Sequence, residues 1–166
     1  MGRGARAWWL LPAAAITALD LWSKARWSYP DPIGAPPLLQ RTLIADWLYI
    51  RTIWNEGGVW SMRLPGWVLT AGTAAAVPLL LLWILWPKRA HLAETAGKAL
   101  VLGGAAGNLY DRLQWSAVRD FVDVVLWGWH YPTFNVADMA LVAGILLLLV
   151  WSFLHGPRKE EAPGTR

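Results

Sequence analysis

Four long apolar segments dominate the pattern of hydrophobic and polar positions along the chain. They extend over about 7–27, 67–87, 92–110 and 136–155. The second contains no charged residue, and each approaches the ~20 residues that an α-helix needs to cross roughly 30 Å of hydrocarbon. The pattern therefore predicts four transmembrane helices in a single domain over residues 1–166.

Two longer connections, at about 28–66 and 111–135, lie on the same side of such a four-helix arrangement. The first begins with a proline-rich stretch and continues at 46–54 with alternating aromatic and β-branched residues, which favour one or two short strands. The predicted fold class is an all-α membrane protein, with four transmembrane helices and a small extracytoplasmic β-containing loop region.

Composition strengthens the membrane interpretation. The residues AVILMFWYC make up 56% of the 166, whereas charged residues make up only 16% against about 25% in soluble domains. The 14 Trp suit a membrane–water interface. The absence of Cys excludes disulfides, thiolate metal sites and a cysteine nucleophile.

The distribution of Lys and Arg gives a weak orientation. Positive residues in short flanks face the cytoplasm, and the side that holds both termini has eight: Arg3, Arg6, Lys88, Arg89, Lys98, Arg158, Lys159 and Arg166. We therefore expect both termini to be cytoplasmic. The first segment also resembles a signal peptide, but Leu21 and Trp22 extend its apolar region, so we expect it to be retained.

Charged residues interrupt the first apolar segment. Asp20 and Lys24 are four residues apart and so lie on one face of a helix, toward its outer end. They are either an ion pair that makes two buried charges tolerable or part of a functional site, because ionisable residues inside a membrane are costly.

Other polar clusters also have a structural and a functional interpretation. Asn55 to Gly57 is by itself a turn sequence. Gly103 and Gly107 have the GxxxG spacing that lets another helix approach closely. Asn108 and Arg112 share one helical face at the outer end of the third segment, where they are either an interfacial cap or part of a site.

Three further residues flank the start of the fourth segment. Asn135 and Asp138 have the spacing of a variant capping box, with Asn135 as the N-cap. Asp120 is a carboxylate in a stretch otherwise suited to burial. Two carboxylates at the same depth cannot both ionise cheaply, so Asp120 and Asp138 are candidates for a dyad that shares one proton.

The topology brings these clusters together. With four helices, all of them fall toward one face of the membrane, whichever way the chain is oriented. Independent caps and turns would not produce this coincidence, so a joint functional interpretation is favoured.

At these positions the chain resembles the lipoprotein signal peptidases, or signal peptidase II, which are bacterial inner-membrane aspartic proteases with four transmembrane helices. The family motifs are matched in order by Asp20–Lys24, Asn55–Gly57, Gly103–Arg112, Val118–Phe121 and Phe134–Asp138. The Gly103–Arg112 motif is highly specific, whereas Asn-x-Gly alone is weak.

The resemblance implies the activity and its site. Asp120 and Asp138 would be catalytic, and the enzyme would cleave a diacylglyceryl-modified prolipoprotein on the N-terminal side of its lipidated cysteine. The implied supporting residues are Asp20, Lys24, Asn55, Gly57, Gly104, Gly107, Asn108, Arg112, Asn135 and Ala137. Asn108 and Asn135 would hold the dyad or substrate, Arg112 and Asn55 the substrate main chain, and Asp20 and Lys24 would brace the site.

The remaining expectations concern surroundings and partners. No metal, cofactor or nucleic acid is expected, and the protein is expected to be a monomer in the bacterial inner membrane with its site toward the extracytoplasmic side. An outer loop with Trp47, Trp54 and Trp60 would cover the substrate, whose lipid tails would lie between helices at a lateral opening.

Two departures and one alternative stay open. Ser116 stands where the family usually has Gly, and Arg119 where an aliphatic residue is common, which puts fine substrate fit in doubt. The alternative function is a small proton-coupled transporter with Asp20, Asp120 and Asp138 as a proton relay. It predicts acids spread through the membrane depth rather than gathered toward one face.

Overall fold

The computed structural model of the chain describes residues 8–28, 40–57, 65–85 and 91–155. Its elements, in chain order, are α1 (Leu10–Trp27), β1 (Gln40–Ile44), β2 (Leu48–Asn55), α2 (Gly66–Leu85), α3 (Leu92–Trp115), β3 (Val118–Leu126), β4 (Trp129–His130) and α4 (Val136–His155). A mostly helical chain with a small antiparallel sheet is thus confirmed.

Two of the described helices, Gly66–Leu85 and Val136–His155, are long and apolar enough to cross a membrane. Helices α1 and α3 carry charged residues along their length, among them Asp20 and Lys24 in α1 and Lys98 in α3. Asp20, Lys24 and Lys98 are buried in the protein rather than presented on its surface.

Helix α3 is the centre of the helical part, since it packs against α1, α2 and α4. Small residues allow this close packing. A Cβ added at Gly103 would lie 2.7 Å from the Ala13 carbonyl oxygen of α1, and one at Gly144 of α4 would lie 2.7 Å from the Gly97 carbonyl oxygen of α3. The predicted close approach at the GxxxG spacing is therefore confirmed for α1 and α3.

Helix α3 continues to Trp115, five residues beyond the predicted end of the third segment. It ends because Ser116 adopts the left-handed conformation, with φ +56°, and its N–H donates to the Arg112 carbonyl oxygen over 2.9 Å. This is the usual stop signal of a helix, and it favours Gly because Gly has no Cβ to clash.

The four strands form one antiparallel sheet in the order β1-β2-β3-β4. Strand β2 overlaps the predicted strand region at 46–54, while β1, β3 and β4 lie outside it and were not predicted. In the register of β2 with β3, Asn55 is opposite Val118 and Ile53 is opposite Asp120. Asn55 therefore lies beside the strand that carries Asp120.

The chain leaving β4 returns along β3 before it enters α4. Phe134 pairs with Val122, accepting its N–H over 2.8 Å and donating to its carbonyl oxygen over 3.1 Å. This pairing places Asn135 and the first turn of α4 next to Asp120.

Some predicted features lie outside the described residues. They are the start of the first connection, Trp60 and the basic flanks Arg3, Arg6, Lys88, Arg89, Arg158, Lys159 and Arg166.

Candidate active site

Asp120 and Asp138 meet where strand β3 passes the N-terminus of α4. Asp120 is 2% exposed, whereas Asp138 in the first turn of α4 is half-buried. Both carboxylates line the same cavity. The structure thus brings together the two acids that the sequence proposed as a dyad.

Asn135 connects the two acids. Its side-chain amide donates to Asp120 Oδ1 over 2.7 Å, and its backbone N–H donates to Asp138 Oδ2 over 3.2 Å. In return its side-chain oxygen accepts the Asp138 N–H over 2.9 Å. The last two bonds form the predicted capping box, so the structural interpretation of this pair is confirmed.

Two further amides orient the carboxylates. Asn108 on α3 donates from Nδ2 to Asp138 Oδ1 over 2.8 Å, and Asn55 at the end of β2 donates from Nδ2 to Asp120 Oδ2 over 2.9 Å. Asn55 also accepts the Gly57 N–H over 3.0 Å, which is the turn that its sequence predicted. The side-chain amide of Asn55 is therefore engaged by Asp120.

The electrostatic environment favours one proton on the pair. Burial raises the pKa of the Asp120 carboxyl from 3.8 to about 7, and the nearby negative charge of Asp138 acts in the same direction. The amide donors Asn55 and Asn135 oppose this rise only in part. A carboxyl of this kind can hold a proton near neutral pH.

A buried lysine braces Asn108 from behind. Lys24 is fully buried and donates to Asn108 Oδ1 over 2.9 Å, while its ammonium lies 2.7 Å from Asp20 Oδ2 and 3.3 Å from Asp111 Oδ2. The ion pair that the sequence suggested for Asp20 and Lys24 is present, and Lys24 also contacts Asn108, which in turn contacts Asp138.

The side chain of Asp20 binds the backbone at the start of α4. Its Oδ1 accepts the Ala137 N–H over 2.8 Å. A Cβ at Gly107 would collide with Asp20 Oδ2, and one at Gly104 would lie 2.5 Å from the Ala137 carbonyl oxygen. Gly104 and Gly107 are thus positions where a Cβ would keep the three helices apart, and Ala137 is fully buried where they meet.

The dyad opens into a cavity of about 1730 Å³. Its polar part includes Asn55, Glu56, Gly57, Asn108, Arg112, Asp120 and Asp138. Its apolar part includes Trp54, Trp67, Trp115, Met139, Val142, Ile145 and Leu146. Asp20, Lys24 and Trp47 are not among the described residues that line it.

Two features of the site were missed from sequence. Asp111 and Arg119 stand inside or beside the quoted motifs but were given no role, although both are buried and paired with each other over 2.7 Å. The second feature is Asp123, which is fully buried and bonded to His130 Nδ1 over 2.9 Å. A second acid in a stretch suited to burial was its only sequence signal.

Within the described ranges, no group of three or more His, Cys, Asp or Glu side chains is arranged to hold a metal ion. The polar groups of the site are carboxylates, amides and cations that satisfy one another. The chemistry that this arrangement can perform is acid–base chemistry by paired carboxyls.

The sequence matches the family model of signal peptidase (SPase) II over residues 12–154. The chain is 34% identical over 155 residues to a lipoprotein signal peptidase of Coxiella burnetii (strain Dugway 5J108-111), covering 90% of this chain and 92% of that protein. It is 35% identical over 165 residues to the lipoprotein signal peptidase of Xanthomonas axonopodis pv. citri, covering 95% and 91% respectively.

The fold also matches a solved structure. A bacterial membrane enzyme determined by the in meso method at 2.3 Å resolution superposes with a TM-score of 0.78, covering 96% of this chain and 95% of that one. Its sequence identity of 23% makes this a likeness of fold.

Proposed function

The chain belongs to the signal peptidase II family, and we propose that it removes the signal peptide from prolipoproteins with Asp120 and Asp138 as its catalytic carboxylates. The observation that carries the assignment is that Asn135 donates a hydrogen bond to each of the two acids, both of which line one cavity. Family membership does not support the proton-coupled transporter.

The dyad would work with one proton between its two carboxyls. The ionised carboxylate takes a proton from water, and that water attacks the scissile carbonyl. The protonated carboxyl hydrogen-bonds the carbonyl oxygen as negative charge develops there, and a proton then passes to the leaving amine. Because burial raises the pKa of Asp120 to about 7, we assign the shared proton at rest to Asp120.

The cavity suits a substrate that is both peptide and lipid. Its polar end holds the dyad, Asn108 and Arg112, whereas its other wall continues along α4 over Met139, Val142 and Leu146. Arg112 and Asn55 would hold the substrate main chain, although Asn55 must then keep or exchange its bond to Asp120. The lipid chains of the diacylglyceryl cysteine would lie against the apolar wall, open to the bilayer.

The proposed arrangement in the membrane has all four helices crossing it. Helices α2 and α4 meet the length and hydropathy required. Asp20 and Lys24 of α1 are fully buried and paired with each other, which lowers the cost of a crossing at this position. Both termini would be cytoplasmic, with the sheet and the dyad toward the extracytoplasmic side of the bacterial inner membrane, in a monomer that needs no metal or cofactor.

The test is cleavage of a diacylglyceryl-modified prolipoprotein by purified enzyme in liposomes. Asp120→Asn and Asp138→Asn should each abolish cleavage while the protein remains folded. Asp46→Asn is the matched control, because Asp46 is an exposed turn residue, and it should cleave as the wild type does. Full activity in either dyad variant removes the assignment, and equal cleavage of a non-lipidated substrate removes the lipid requirement.

A further inference from the structure

Four ionisable side chains form a buried charge cluster behind the dyad: Asp20, Lys24, Asp111 and Arg119. Each is at most 5% exposed. With both acids ionised and both bases protonated, the charge of the cluster sums to zero. Such balance matters because an unpaired charge in a buried site is costly.

Arg119 is bound to Asp111 by several contacts. Its Nη2 donates to Asp111 Oδ1 over 2.7 Å, and its backbone N–H donates to Asp111 Oδ2 over 3.0 Å. The guanidinium also lies 4.3 Å from the ring centroid of Trp115. An aliphatic side chain, expected here from the family pattern, would leave Asp111 without this partner.

From Asp111 a continuous path of polar contacts reaches the dyad. Asp111 Oδ2 lies 3.3 Å from Lys24 Nζ, and Lys24 Nζ donates to Asn108 Oδ1 over 2.9 Å. The Nδ2 of Asn108 then donates to Asp138 Oδ1 over 2.8 Å. Lys24 therefore helps to fix which end of the Asn108 amide faces Asp138, together with Asn135 Nδ2, which donates to the same oxygen over 3.2 Å.

We propose that Arg119 is a positioning residue for the hydrolysis: by balancing the charge of Asp111, it leaves Lys24 to hold the Asn108 amide against Asp138. The inference rests on the proposed function of the dyad. Arg119 does not line the cavity of the described residues, so it acts through Asp111 and Lys24 rather than on the substrate.

The physical reason is competition for one ammonium group. Without the guanidinium, the carboxylates of Asp20 and Asp111 would share Lys24 alone, and the cluster would carry a net negative charge. Lys24 would be drawn toward Asp111 and away from Asn108. The added negative charge would also make ionisation of Asp120 and Asp138 less favourable. The other titratable side chains that line the cavity with the dyad are Glu56, Arg112, His130 and Tyr131.

The experiment compares pH profiles of kcat for four variants and one control variant, each corrected for the folded fraction in detergent. Arg119→Met should lower kcat at pH 7 by about tenfold with KM within about twofold, and should move both limbs of the profile to higher pH by about one unit. Asp111→Asn should move both limbs to lower pH, because it leaves one positive charge in excess.

Two further variants separate charge balance from simple support of the fold. The double variant Asp111→Asn/Arg119→Met has no net cluster charge, so its limbs should return to the wild-type positions. Arg119→Lys should keep the wild-type profile. Arg51→Met is the matched control, because it removes a cation 3.9 Å from the buried Asp123 on the neighbouring strand, and its profile should not move.

The outcomes are distinct. A wild-type profile in Arg119→Met, or shifts of the two single variants in the same direction, overturns the inference while the proposed function stands. If Arg119→Met does not fold, Asp111→Asn and the double variant decide by the same criterion. Failure of the wild-type enzyme to cleave the lipidated substrate contradicts the proposed function instead.

Discussion

The side-chain amide of Asn135 donates to Asp120 Oδ1 over 2.7 Å, and this bond ties the N-terminus of α4 to strand β3. Asn135 is fully buried, and its side-chain oxygen simultaneously caps the helix. One residue therefore sets both where α4 begins and how the carboxylate of Asp120 is oriented.

The two roles of Asn135 can be separated by substitution. Asn135→Ser keeps a good N-cap but is too short to reach Asp120, so we expect stability to fall by about 1–3 kcal/mol through the lost buried hydrogen bond alone. We expect kcat/KM to fall by about 10- to 100-fold, since a hydrogen bond to a charged group contributes about 1.5–3 kcal/mol.

Asn135→Ala is the companion variant. It removes the cap as well and should lower the free energy of unfolding by a further ~1 kcal/mol. Thermal unfolding in detergent and cleavage of lipidated substrate measure the two effects. Full activity in Asn135→Ser would show that its bond to Asp120 has no part in catalysis.

The sequence predicted the elements whose signals are local. The apolar segments predicted helices, the spacing of Gly103 and Gly107 predicted a close approach, and Asn135 with Asp138 predicted a capping box. These depend on neighbours within a few residues along the chain, or on a face that helical geometry defines.

The parts that sequence missed depend on long-range pairing. Strand β3 contains two acids, Asp120 and Asp123, and its sequence lacks the alternation of polar and apolar residues that predicts a strand. Its strand conformation depends on pairing with β2 and β4 on either side. The bond from Arg119 to Asp111 joins two elements across a left-handed turn at Ser116. The spacing of hydrophobic and polar residues along the chain does not predict such a contact.

The raised pKa of Asp120 predicts that the stability of the fold depends on pH. The carboxyl titrates at about 7 in the folded protein and near 3.8 in the unfolded chain, so the wild type loses stability as the pH rises through this window. Asp120→Asn lacks this loss. The difference in Tm, variant minus wild type, should therefore increase from pH 5 to pH 8 and level off above it.

The change in this difference with pH is the measurement that matters. An Asn at position 120 also meets the amide donors of Asn55 and Asn135, but that cost does not depend on pH. Thermal unfolding of both proteins at matched pH values in one detergent provides the data. A constant difference in Tm across the window would contradict the raised pKa.

Close packing between α1 and α3 predicts a large effect at Gly107. A Cβ there would collide with the buried carboxylate of Asp20, which also holds Ala137. Gly107→Ala should destabilise the fold by about 1–3 kcal/mol and reduce cleavage strongly. Gly72→Ala in α2 is the control, because its Cβ would meet no atom within 4 Å; it should leave stability unchanged or raise it by up to ~1 kcal/mol. Equal stability in the two variants would contradict the packing.

The left-handed Ser116 predicts a stabilising substitution. Ser116 has φ +56°, a conformation that costs an L-residue energy and glycine little, so Ser116→Gly should raise the free energy of unfolding by about 0.5–1 kcal/mol. For a chain of this size that is a rise in Tm of about 1–4 °C.

Ser152→Gly makes the same change at an exposed position inside α4, and there it should lower stability by about 0.5 kcal/mol. Because the same change is made at two exposed positions, one left-handed and one helical, opposite signs in thermal unfolding are the expected result. A loss of stability in both would mean that Ser116 does not hold its left-handed conformation at a cost.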